Sequence, residues 1–95
     1  MTRIIWAPQA VQDLEAIRAY ISRDSPQYAD LFVERIVNAV GLLEGNPRSG
    51  RVVPEVGDEL LREVLHGNYR LVYRLRGDII EIATVFHGSR LFRLK

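Results

Sequence analysis

Two short turns constrain this chain more than any other feature. Gly67-Asn68 and Gly77-Asp78 separate three β-prone runs, Leu60 to His66, Tyr69 to Arg76 and Ile79 to His87. A glycine followed by Asn or Asp suits the two-residue loops whose backbone twist matches that of paired antiparallel strands. The runs therefore predict a meander of defined register, with Arg76 opposite Ile79, Arg74 opposite Glu81, Val72 opposite Ala83 and Arg70 opposite Val85. Strand side chains alternate, so this register sorts them onto two faces. Tyr69, Leu71, Tyr73, Leu75, Ile80, Ile82, Thr84 and Phe86 share the first with Val64 and Leu60. Arg70, Arg74, Arg76, Glu63 and Glu81 share the second with Leu61, Leu65, Val72, Ala83 and Val85.

The first face is apolar enough to need a cover, and the N-terminal half supplies one. After a β-prone run from Arg3 to Trp6, Pro8 suits the first turn of a helix, where its missing N–H does no harm. Ala10, Leu14, Ile17 and Ile21 then recur at helical spacing until about Asp24. Ser25-Pro26 restarts a helix by capping free N–H groups and presetting the first helical φ. Its apolar stripe runs from Ala29 through Phe32, Val33, Ile36, Val37 and Val40 to Leu43, and Gly45-Asn46-Pro47 ends it. So brief a link folds the helices back on one another. The predicted order is β-α-α-β-β-β: an α+β domain over residues 1–95, a helical hairpin on one face of an antiparallel sheet of about four strands. The N-terminal strand is placed at an edge or between strands. Residues Arg48 to Glu59, with Gly50, Pro54 and Gly57, read as a loop with a short extended piece around Arg51 to Val53.

Function can be narrowed by exclusion. The sequence has no cysteine and only two histidines, and lacks a glycine-rich phosphate loop, HExxH or GxSxG, so neither a metal nor a cofactor is expected. No run approaches the roughly 20 apolar residues that span a bilayer, and no signal peptide is evident, so the protein is expected in the cytoplasm and off the membrane. Net charge is +1, yet residues 1–46 carry four Arg against six acids, and residues 47–95 carry nine Lys or Arg against six. The basic strand half suggests an acidic partner.

The second face is half apolar, which predicts that something covers it: a partner, or alternatively the chain's own loop or C-terminal segment. Arg62 falls on the core face and must either reach the sheet edge or pair with a helix carboxylate. The register places His87 on the same face as Arg70, where an imidazole and a guanidinium could together serve RNA cleavage. Glu55 could act as a base only if its loop folds over that face. His66, at a hairpin mouth, reads as structural. The basic, apolar run from Ser89 to Lys95 either meets a partner or adds packing.

Trp6-Ala7-Pro8-Gln9-Ala10, Asp13-Leu14, Tyr20-Ile21, Pro47 and Gly50-Arg51 are followed by Arg62-Glu63, Gly67-Asn68-Tyr69-Arg70-Leu71-Val72-Tyr73-Arg74 and Val85-Phe86-His87-Gly88-Ser89-Arg90. This ordered set resembles the bacterial RelE/ParE toxin superfamily along nearly the whole chain, and its last strand is more similar to the ParE-like branch. The resemblance implies the toxin of a type II toxin–antitoxin pair, associated with growth inhibition and plasmid stabilisation. It also implies neutralisation by a cognate antitoxin, in a heterotetramer or larger complex. ParE-like members poison DNA gyrase, whereas RelE-like members are ribosome-dependent messenger RNA endoribonucleases; a toxin that keeps only antitoxin binding is a third reading. If the chain is a nuclease, the family's strand arginine falls on Arg70 and its terminal acid–base residue on His87. The absence of a tyrosine after Tyr73 departs from the nucleases. The partner-binding set expected from the exposed face is Glu63, Arg70, Val72, Arg74, Arg76, Glu81 and Arg90.

Overall fold

Both predicted hairpins close on glycine: Gly67 and Gly77 have φ of +56° and +60°, while the Asn and Asp that follow stay at negative φ. In the computed structural model, which describes residues 2–90 and Phe92, the elements are β1 (Arg3–Trp6), α1 (Pro8–Ser22), α2 (Pro26–Leu42), β2 (Arg51–Val52), β3 (Leu61–His66), β4 (Tyr69–Arg76) and β5 (Ile79–His87). The sheet order is β1-β5-β4-β3-β2. It has five strands, one more than expected, because the extended piece at Arg51 pairs with Arg62 and Glu63 as β2. β1 takes an edge and runs parallel to β5; the remaining pairings are antiparallel.

The helices begin where the prolines place them. Ser25 Oγ accepts the Tyr28 N–H at 3.1 Å, which occupies one of the donors left free at the start of α2. α2 buries Ala29, Phe32, Ile36 and Val40, whereas α1 buries only Ala10, so the wider stripe marks the more central helix. Phe32, Ile36, Val40 and Leu43 form one core cluster with Leu71, Tyr73, Ile80, Ile82 and Val85.

Val85 in that core is a departure from the expected register, and a β-bulge causes it. Arg76↔Ile79 and Arg74↔Glu81 pair as predicted, but Tyr73 faces Ile82 while Val72 faces Thr84, so Ala83 is an extra residue on β5. Beyond it the alternation inverts: Arg70 opposes Phe86, not Val85, and Leu71 opposes Val85. Val85 turns to the helices, and Phe86 joins a second cluster on the other face with Val53, Leu61, Val72 and Ala83. The bulge is held from a distance. The Asp13 carboxylate on α1 accepts the Val85 N–H at 3.1 Å and also the Thr84 hydroxyl.

Arg62 resolves in favour of the sheet edge. Its Nε donates to the Glu59 carbonyl at 2.9 Å and its Nη1 to the Gly50 and Arg48 carbonyls at 2.9 and 3.2 Å. It thus satisfies loop backbone that would otherwise lack donors. Gly50 admits no side chain: a Cβ there would lie 2.6 Å from the Tyr73 hydroxyl and 2.7 Å from the Glu63 carbonyl. Tyr73 Oη accepts the Gly50 N–H at 3.0 Å and donates to the Pro47 carbonyl at 2.7 Å, fastening the loop's start to the core.

Candidate functional site: the outer face of the sheet

The face turned away from the helices is divided in two. Toward β2 and β3 the chain's own loop and C-terminal segment lie over it. Val53 and Val72 are fully buried, Leu61 nearly so, and Phe92 stacks on Phe86 with ring centroids 6.0 Å apart. The alternative cover, the chain itself, is therefore the one found here. The expectation of a partner over this half is corrected, and Glu63, Arg70 and Val72 are buried rather than presented.

An ion network holds this cover down. Arg70 Nε donates to Glu63 Oε1 at 2.7 Å, while its Nη1 and Nη2 grip both oxygens of Glu55 at 2.6 and 2.7 Å. Glu63, whose side chain is 0% exposed, takes a second cation from β2, Arg51 Nε at 2.6 Å on Oε2. Two carboxylates and two guanidiniums thus neutralise one another where a lone charge would be costly, and the fork geometry suits arginine. Glu55 also accepts the Phe92 N–H at 2.8 Å, and the Arg90 carbonyl accepts from Arg70 Nη1 at 3.2 Å. One loop carboxylate therefore ties together the central strand and the C-terminal segment.

The electrostatics follow from these contacts. Hydrogen bonds from Arg70, and then from the Phe92 backbone, hold the Glu55 carboxyl down at about 2. Arg70 is shifted upward in turn, chiefly by its bonds to Glu55. A carboxylate bound this tightly is a poor proton acceptor at neutral pH, so bringing Glu55 to Arg70 makes a latch rather than a general base.

His87 is not part of this cluster. With the bulge inverting β5, it lies on the helix side, where its ring meets Tyr69 edge-on at 5.5 Å and Tyr69 in turn meets Phe32 at 5.1 Å. Its Nδ1 is 2.7 Å from Ser89 Oγ. The expected juxtaposition of His87 with Arg70 is corrected: the sheet separates them. His66, read as structural, makes an edge contact with Phe32 at 5.8 Å.

The other half of the face, toward β1, is open. The register sets Arg3 beside Ile79 and Ile79 beside Arg76, and sets Ile5 beside Glu81 and Glu81 beside Arg74. Arg3, Arg74 and Arg76 are exposed, as is Ile5 at 40%. Arg76 Nη1 lies 3.7 Å from Glu81 Oε2, a loose surface pair of little energetic weight. Arg90 is exposed past the end of β5. Of the expected partner-binding residues, Arg74, Arg76, Glu81 and Arg90 are accessible to a partner. Among the described residues, no cluster of three or more His, Asp or Glu could hold a metal ion, and no helix is long and apolar enough to cross a membrane.

Three contributors escaped the sequence reading. Asp13 was given no role beyond the resemblance, Arg51 was placed in a short extended piece of the loop, and Arg3 in a strand with no site. Asp13 and Arg51 left a trace, in Asp13-Leu14 and Gly50-Arg51 among the residues carrying the family resemblance, and Arg3 left none. Its partner at Val85 is 72 residues away.

Comparison with known proteins agrees with the fold. Residues 4–92 match the family described as ParE toxin of type II toxin-antitoxin system, parDE. A putative toxin, Y4kP, of Sinorhizobium fredii is 37% identical over 90 residues, covering 93% of this chain and 90% of that protein. Toxin RelE2 of Caulobacter vibrioides is 31% identical over 91 residues, 96% of this chain and 100% of that protein. Among solved structures, a chain of the chromosomal ParDE TA system from P. aeruginosa superposes with a TM-score of 0.75 at 24% identity, over 92% of this chain and 96% of that one. A chain of the RelB-RelE antitoxin-toxin complex from Methanococcus jannaschii gives 0.56 at 18% identity, over 90% and 91%. At these identities the structural likeness speaks to the fold.

Proposed function

This chain belongs to the ParE toxin family of type II toxin–antitoxin systems, and we propose that it arrests growth by binding DNA gyrase, without chemistry of its own, until a cognate antitoxin neutralises it. The observation that carries this reading is the occupancy of Arg70. Its Nε, Nη1 and Nη2 are engaged by Glu63 and Glu55, and His87 lies across the sheet. A nuclease needs a cation free to meet a phosphate and an acid–base group within reach of the same atom. Here the cation is bound internally, and the imidazole is on the other face. What remains accessible is a binding surface, with Arg74, Arg76, Glu81 and Arg90 as the residues proposed to meet protein partners.

Supercoiling by purified gyrase with the purified chain in excess tests the target. Inhibition, relieved by the antitoxin encoded beside the toxin, is expected. Unchanged supercoiling together with new cuts in translated messages by primer extension would overturn the reading in favour of the ribosome-dependent endoribonuclease.

A further inference from the structure

Beyond Ile82, the sequence of β5 fits two pairings with β4. Residues Ile79 to Ile82 pair with Tyr73 to Arg76 in the register that the turn dictates, and the extra residue Ala83 then shifts all that follows. Without the bulge, Leu71 would face Thr84, Arg70 would face Val85 and Tyr69 would face Phe86. Alternation would put Thr84 and Phe86 on the helix side, with Val85 and His87 on the outer face. In the observed pairing Val85 packs under the helices, His87 meets Tyr69 there, and Phe86 joins the outer cluster. Either arrangement gives each face one of Val85 and Phe86. Burial alone therefore discriminates weakly between them, since a register is firmly set only where the two faces make different demands.

Hydrogen bonds favour the bulged pairing from the helix side. Asp13 Oδ2 accepts the Val85 N–H and the Thr84 hydroxyl, while Gln9 Nε2 steadies the other oxygen at 2.8 Å. In the unbulged ladder Arg70 and Val85 would form a hydrogen-bonded pair, turning that N–H toward β4 and away from Asp13. On the outer face the Arg70 guanidinium lies over the Phe86 ring, 5.0 Å from its centroid, and Phe92 stacks on the same ring. Both layers thus bear on one register, the helices through Asp13 and the latched cover through Phe86.

We propose that the end of β5, Thr84 to His87, is a two-register element and that Asp13 is its lock, a positioning residue on α1 that selects the bulged pairing and so decides which side chain meets Arg70. With the lock released, Phe86 leaves the outer face, Phe92 loses the ring it stacks on, and His87 comes to the Arg70 side. The seating of α1 is thereby coupled to the composition of the outer face through one strand. The lock goes beyond the gyrase reading and does not depend on it, since it rests on strand pairing alone.

Removing the carboxylate with and without the extra residue tests this. In Asp13→Ala the ratio of the two registers should move about tenfold or more toward the unbulged pairing, as the loss of hydrogen bonds to a charged group implies. Proton NMR reads the change as a weaker ring contact between Tyr69 and His87, with a second set of signals in which Tyr69 meets Phe86. The Phe92 amide, on the outer face, should exchange with solvent about tenfold faster. Asp13→Asn, whose side-chain oxygen still accepts the Val85 N–H, should keep the parent's register. Deleting Ala83 leaves Val72↔Thr84 and Leu71↔Val85 in an unbroken ladder. In that background Asp13→Ala should keep both the Tyr69–His87 contact and the parent's protection at Phe92. The proposal is overturned if Asp13→Ala holds one register with Phe92 protected as in the parent, or if it unfolds to the same extent with and without Ala83. It is equally overturned if the Ala83 deletion fails to fold or places His87 beside Arg70.

Discussion

Arg70 and Arg74 sit four residues apart on β4 and project from the same face, yet they have opposite fates. Arg70 is 6% exposed and gripped by two carboxylates, while Arg74 stands in solvent. The strand does not make this difference; what crosses the strand does. The loop after β2 brings Glu55 onto the first arginine and leaves the second in solvent. A basic sheet face is thus two surfaces, one closed by the protein's own charges and one open to solvent.

Deleting each arginine is the strongest way to break that division. Arg70→Ala would leave one oxygen of the fully buried Glu63 and the whole of Glu55 without a cation. Breaking a buried pair costs about 3–5 kcal/mol, and the low end is expected because Arg51 still holds Glu63. Arg74→Ala removes an exposed side chain and should change stability by less than about 0.5 kcal/mol. Urea unfolding of the two variants beside the parent checks this. Equal losses would mean that the closed half is no more structural than the open one.

Much of this fold was legible because its signals are local. Ser25-Pro26 and the two glycine turns act within a few residues, and the strands they delimit start and stop as read except at Leu60, which lies just before β3 and is exposed. The β4–β5 register was legible from the turn as far as Arg74↔Glu81 and failed at Ala83, where nothing in Ile82-Ala83-Thr84-Val85 announces a bulge. The extra residue is tolerated because Asp13, on a helix from the other half of the chain, takes up the Val85 N–H. That single slip carried His87 and Val85 to the wrong face in the sequence reading and put Phe86 in the wrong core. A pattern of period two has no memory of an inserted residue. The latch was illegible for a related reason: Glu55 meets Arg70 and the Phe92 N–H through a loop path that periodicity does not describe.

Acid should sharpen the comparison through the closed half's latch at Glu55. The folded Glu55 carboxyl sits at about 2, below its ordinary 4.5. Lowered in the folded state, it contributes stability that is fully present above 4.5 and is lost as the pH falls toward 2. Unfolding free energy measured across that window should fall more steeply for the parent than for Glu55→Gln, which has no charge to lose. Parallel curves would show that Glu55 gains nothing from Arg70.

The smallest effect expected is at His87, the residue the bulge moved. Its ring is exposed and meets Tyr69 edge-on at 5.5 Å, so His87→Ala should cost less than about 1 kcal/mol. Because it lies across the sheet from Arg70, growth arrest on induction should persist in this variant at the parent's level. Thermal unfolding separates the two ways arrest could fail. A variant that no longer arrests growth and melts well below the parent has lost its fold. One that melts with the parent but is harmless would return the imidazole to the mechanism, and the helix side of the sheet would have to be counted as working surface alongside the open half.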